Sequence, residues 1–123
     1  MINLELLVIA LVICKAVDWI IQTKYQSINK TKDRVALLTH AATYGILSTI
    51  LISFFTPVAS PLILISLLIT THIIIDDRKI VKLLMRFKGM TPEEVIDKRY
   101  LGIQIGIDQR LHEVVLVVIA TII

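Results

Sequence analysis

The sequence predicts an all-α integral membrane bundle of four transmembrane helices, with one or two cytoplasmic interfacial helices between the third and the fourth. Three observations predict it. Hydrophobic residues make up 56% of the 123 and charged residues only 19%, too little polar surface to coat one soluble domain. The charges fall in two blocks, Lys24 to Arg34 and Asp77 to Arg99, with long apolar runs between them, as in spans joined by polar loops. Lys and Arg are also unevenly shared: four lie in or at the edge of the first loop, seven in the third, and none in the second or at either terminus. The positive-inside rule then puts the first and third loops in the cytoplasm and both termini outside, a multi-pass protein of the cell (inner) membrane. Topology accounts for the net charge of +3, and no basic stripe interleaved with aromatics marks a nucleic-acid interface. No repeat or low-complexity stretch divides residues 1–123, which are read as one transmembrane helical domain.

The first span extends from about Leu4 to Gln22 and is apolar except for Glu5, Lys15 and Asp18. As a helix it is about 28 Å long, one hydrocarbon core. Its lone cysteine, Cys14, excludes an internal disulfide and is read as a packing residue. Leu11 to Cys14 has the outline of a lipoprotein cleavage site, but Met1-Ile2-Asn3 lacks a positive region, so the segment is expected to be retained. A polar loop, Thr23 to Asp33, leads to the second span, Val35 to Phe55. Pro57 and Pro61 bracket a short uncharged turn, and the third span runs from about Pro61 to Ile75.

From Asp76 the pattern changes. Ile80, Val81, Leu83, Leu84, Met85 and Phe87 form an apolar face opposite Arg78, Lys79, Lys82, Arg86 and Lys88, which predicts a surface-lying amphipathic helix. After Gly89, Thr91-Pro92-Glu93-Glu94 reads as a helix start, with Thr91 as cap, Pro92 at the first position and Glu94 closing a capping box. This second short helix ends near Gly102. The last span, Ile103 to Ile123, carries Asp108, Gln109, Arg110, His112 and Glu113 in its first half and is apolar beyond them.

Ionisable residues within spans are costly and mark function. Asp18 lies about one turn before the cytoplasmic end of the first span and His40 about one turn into the second. His72 and Asp76 end the third span on the same side, and Asp108 and His112 begin the fourth, so all six fall in one layer. His72-x-x-x-Asp76 and Asp108-x-x-x-His112 are matching pairs in opposite order. Spacing of four puts each pair on one helix face, and the antiparallel run of the two helices lets the pairs face each other. Imidazoles and carboxylates converging from several helices are how bundles build metal centres. The competing reading is polar packing that ties the helices together.

Asp18-Trp19-Ile20-Ile21-Gln22, the lone His40, Thr71-His72-Ile73-Ile74-Ile75-Asp76 and Asp108-Gln109-Arg110-Leu111-His112 together resemble the motifs of a family of small membrane proteins catalogued as domain of unknown function 3307, found in bacteria and phages. The resemblance covers nearly the whole chain. It implies that Asp18, Gln22, His40, His72, Asp76, Asp108, Gln109 and His112 form the family's polar signature; a second, distant resemblance is to membrane-bound metal-dependent hydrolases. The first motif departs from the family's, in which His and Gly precede the aspartate and where Lys15 to Val17 stand here.

The expectation is therefore an intramembrane metal-dependent hydrolase acting near the cytoplasmic headgroup layer. His40, His72, Asp76, Asp108 and His112 would hold one or two divalent ions of zinc, iron or manganese, and Asp18 or Asp108 would be the general base. Gln22 and Gln109 would support ligands by hydrogen bonds, and Lys15 would neutralise Asp18 three residues on. Arg110 and Glu113 are expected to pair in a structural role, and Trp19, Tyr25 and Tyr100 to anchor the spans at the interface. The expected partner is membrane lipid, with self-association into a homo-oligomer compatible with the sequence. The alternatives are a non-enzymatic ion- or proton-handling module and a structural module, phage-encoded and acting on the host membrane.

Overall fold

Capping residues and two prolines cut the chain into helices near most of the expected places; the exceptions are an added helix after Thr23 and a second short helix that ends at Ile96 rather than near Gly102, where the Asp97 side chain accepts from the Arg99 N–H and starts a new turn. The computed structural model describes residues 2–123, which are all-α, with no strand among them. Helix α1, Leu4–Ala16, starts where the Asn3 side chain accepts the Leu6 N–H, and it continues as a wider π turn over Val17–Ile21. α2 is Lys24–Asn29 and α3 is Arg34–Phe55, opened by Asp33 accepting from the Val35 N–H. α4, Pro61–Asp76, has its proline at the first position, where no N–H is needed. α5, Lys79–Phe87, and α6, Pro92–Ile96, are the two short helices expected before the last long one; α6 has the capping box of Thr91 and Glu94. A 3₁₀ turn, Lys98–Tyr100, leads into α7, Leu101–Ile122.

The segment from Thr23 to Asp33 departs from the open loop expected of it. Thr23 and Gln26 cap each other through side chain and backbone, and that reciprocal pair nucleates α2. The Tyr25 hydroxyl donates to Asp33, which folds the short helix back toward the start of α3.

Helices α1, α3, α4 and α7 enclose an apolar core that includes Leu6, Ala10, Cys14, Ile52, Leu64, Leu68, Leu116 and Ile119. The most extensive pair is α3 with α4. A Cβ added at Gly45 would collide with the Ile69 side chain and press on the Ile65 carbonyl, so the two backbones approach as closely as glycine permits. A smaller core of Ile75, Val81, Met85 and Val95 seats α5 and α6 against α4 and α7. The polar layer lies between these two cores.

Large apolar side chains also cover the outside. Leu4, Val8 and Val12 recur every four residues on the exposed face of α1, and Phe54, Phe55, Leu62, Val114, Val118 and Ile122 are exposed as well. Among the described residues, α3 is the one helix long and apolar enough in itself to cross a membrane. α4 has 16 residues, and charges interrupt the apolar runs of α1 and α7.

Candidate metal centre

Six side chains meet in the layer between the cores. Asp18 comes from the π turn, His40 from α3, His72 and Asp76 from α4, and Asp108 and His112 from α7. His40, His72 and Asp76 are 2%, 1% and 0% exposed, far drier than such groups tolerate without partners. Asp18 and Asp108 are buried too, and His112 is partly so.

Four donors form a first set: Asp18 Oδ1, His40 Nε2, His72 Nε2 and Asp76 Oδ2. The separations are 3.0 Å from His40 to Asp18, 2.9 Å between the imidazoles, 3.2 Å from His72 to Asp76, 3.4 Å from His40 to Asp76 and 3.5 Å from His72 to Asp18. A tetrahedral ion with bonds of about 2.0–2.1 Å needs donors roughly 3.3 Å apart along every edge, and these five edges bracket that length. A second set shares the same carboxylate. His112 Nε2 lies 3.1 Å from Asp76 Oδ1 and 3.1 Å from Asp108 Oδ1. Both sets have the donor types and spacing that can hold a metal ion. Asp76 thus offers one oxygen to each.

The two spacing-of-four pairs do face each other across α4 and α7. His72 and His112 have ring centroids 4.5 Å apart, and each imidazole reaches the aspartate of its own helix. Asp18, expected as a base and not among the ligands, stands with the donors of the first set. Tyr44, one turn after His40, stacks on His72 with centroids 3.9 Å apart. That contact orients the ring, because His72 Nδ1 is buried without the hydrogen-bond acceptor a ligating imidazole ordinarily has.

Two cations enter the layer that loop counting had assigned to topology alone. Lys30 Nζ lies 2.9 Å from Asp76 Oδ2, with its side chain 11% exposed. Arg78 Nε lies 3.3 Å from Asp108 Oδ2, and its Nη1 donates to Gln104 Oε1 at 2.7 Å. Neither carboxylate oxygen has a hydrogen bond of good geometry, so these are contacts of charge and both oxygens remain open to a further partner. The sequence carries a signal for them: three carboxylates in an apolar layer require counter-charge, and Lys30 and Arg78 stand at the nearest helix ends.

The supporting residues fall out differently from expectation. Lys15 does not neutralise Asp18; it turns outward, 2.6 Å from the partly buried Glu113 Oε1, while Asp18 is already held by imidazoles. Glu113 also takes Arg110, at 2.6 Å, as expected of that pair. Gln22 and Gln109 make no hydrogen bond to a donor of either set among the described residues. Both instead line a cavity of about 420 Å³ together with Asp18 and Asp108.

No curated protein and no solved structure matches the chain. A family model described as "Protein of unknown function (DUF3307)" matches residues 6–123, the same span that brings all six donors together, and the protein belongs to that family.

Proposed function

We propose that the protein is a multi-pass membrane protein that binds divalent metal in the Asp18, His40, His72, Asp76, Asp108 and His112 layer, and that it is a metal-dependent hydrolase working at the cytoplasmic headgroup level. The membrane reading is supported by apolar side chains facing outward on α1, α3, α4 and α7, which in water would be an association liability. The loop charges orient it, with the termini outside.

The observation that carries the metal reading is the first donor set. Two imidazoles turn the same nitrogen, Nε2, toward one another at 2.9 Å and toward two carboxylates. As hydrogen-bonding glue this is poor, since the imidazole pair alone can share only one proton between its facing nitrogens. As a ligand set it needs the facing imidazole nitrogens to part by only roughly a few tenths of an ångström. A bound divalent ion would supply Lewis acidity and ionise water near neutral pH. Asp18 lines the cavity with no Lys or Arg against it, and with Oδ1 turned to His40 and His72 its other oxygen is the better placed general base; Asp108 already faces Arg78.

The test is elemental analysis of protein extracted in mild detergent, with His72→Ala alongside. The expected result is stoichiometric zinc, iron or manganese in the parent and its loss from the variant. A parent free of metal under native extraction, with no uptake on titration, removes the proposal. Lys30 and Arg78 against Asp76 and Asp108 favour the second reading in that event, a non-enzymatic membrane module whose charge layer is neutralised internally.

A further inference from the structure

The cavity beside the donor sets is more than either set needs. Its wall combines the donor carboxylates Asp18 and Asp108 with three cations, Lys24, Lys30 and Arg78. The layer holds three carboxylates, Asp18, Asp76 and Asp108, against Lys30 and Arg78, so with neutral imidazoles its net charge is −1. One divalent ion brings the layer to +1 and two bring it to +3, before Lys24 is added. A partly enclosed cavity with that field attracts an anion rich in acceptor oxygens.

The cations are also held for such a ligand. Arg78 has a left-handed backbone, φ 61°, which a residue with a side chain adopts at a cost. That turn between α4 and α5 sends the guanidinium back over α7, where it meets Gln104 and Asp108 and forms part of the cavity wall. Lys30 reaches the same wall from the end of α2. The volume, about 420 Å³, is within the roughly 300–1,000 Å³ typical of ligand sites, enough for a phosphoryl group with part of its ester. Trp19, two-thirds exposed, and Ile105 give the wall an apolar border.

We infer that this cavity binds the phosphoryl group of an anionic substrate, and that it does so only when the donor sets hold a divalent ion. The inference rests on the metal reading above and gives that site its substrate class. A phospholipid headgroup and a soluble phosphoester share this chemistry.

The test uses the full chain in phosphatidylcholine nanodiscs, loaded with zinc or manganese, and measures binding of inorganic phosphate with and without chelator. Phosphate should bind the loaded protein and weaken about tenfold or more when the metal is removed, the scale of a lost charge-assisted contact. Lys24→Gln, at the wall and away from both donor sets, should weaken phosphate severalfold with metal content unchanged. Lys30→Gln should weaken phosphate while metal affinity holds or rises, because the layer loses a positive charge; a misfolded variant would lose both, and Lys24→Gln then decides. Replacing part of the phosphatidylcholine with phosphatidic acid separates the sources: competition with phosphate assigns a lipid headgroup, and unchanged phosphate binding assigns a soluble phosphoester. Phosphate binding that is absent from the metal-loaded protein, or indifferent to chelator and to Lys24→Gln, overturns this inference and leaves the metal reading standing. A parent that takes up no metal overturns both.

Discussion

Asp76 faces two groups of donors that are built differently. Around Oδ2 stand three further donors, Asp18 from the π turn, His40 from α3 and His72 from α4, all buried beside the most extensively packed helix pair among the described residues. Around Oδ1 stand only Asp108 and His112, both from α7, with Asp108 on the cavity wall and Arg78 against its other oxygen. A filled tetrahedron is the form of a structural site, and three protein donors with an open side is the form of a reactive one. On the metal reading proposed above, the first set would be the more enclosed and the second the more open, with one carboxylate tying them together.

The strongest way to break this contrast is to remove what the sets share. Asp76→Asn keeps size but leaves one oxygen and no charge for two sets, so metal affinity should fall at least about 100-fold, more than loss of a supporting hydrogen bond alone would cause. Metal titration of the purified variant checks it, and undiminished affinity would mean that Asp76 only ties helices.

A narrower change separates the sets. Gly45→Val forces α3 away from α4 and should cost about 1–3 kcal/mol of stability, as overpacking does. It should weaken the first set, which spans that interface, more than the second, which joins α4 to α7. Thermal unfolding in detergent with and without metal reads both effects: metal should stabilise the variant less than the parent. Equal stabilisation would show that the glycine contact does not position His40 against His72.

The smallest effect is expected from Lys15→Gln. Lys15 pairs with Glu113 at the exposed surface, and Glu113 keeps Arg110 when it goes. Metal content should be unchanged; its loss would restore Lys15 to the neighbourhood of Asp18.

Much of this arrangement is readable in the chain before any coordinates. Thr91, Pro92 and Glu94 mark a helix start because each has a local role that needs nothing distant. The reversed His72/Asp76 and Asp108/His112 pairs predict convergence because helical spacing and antiparallel packing are both short-range rules. Lys30 and Arg78 escape for the opposite reason. Their part depends on α2 folding back and on one left-handed residue, and neither follows from hydropathy, which sees only two more loop cations. Tyr44 on His72 escapes likewise, since stacking across helices leaves no spacing signature.

The wide turn at Val17–Ile21 has a consequence for how relatives are to be aligned. A π turn takes up one residue more than an α turn, so shortening the chain by one residue there can restore α geometry while keeping both flanks. Residues beyond such a deletion would keep their faces, because the extra residue is taken up within the turn itself. Asp18, at the head of the turn, would keep its place against His40. A relative shorter by a single residue here would carry equivalent side chains one number earlier, and a gap-free comparison of this stretch would mistake a shift of register for a change of chemistry.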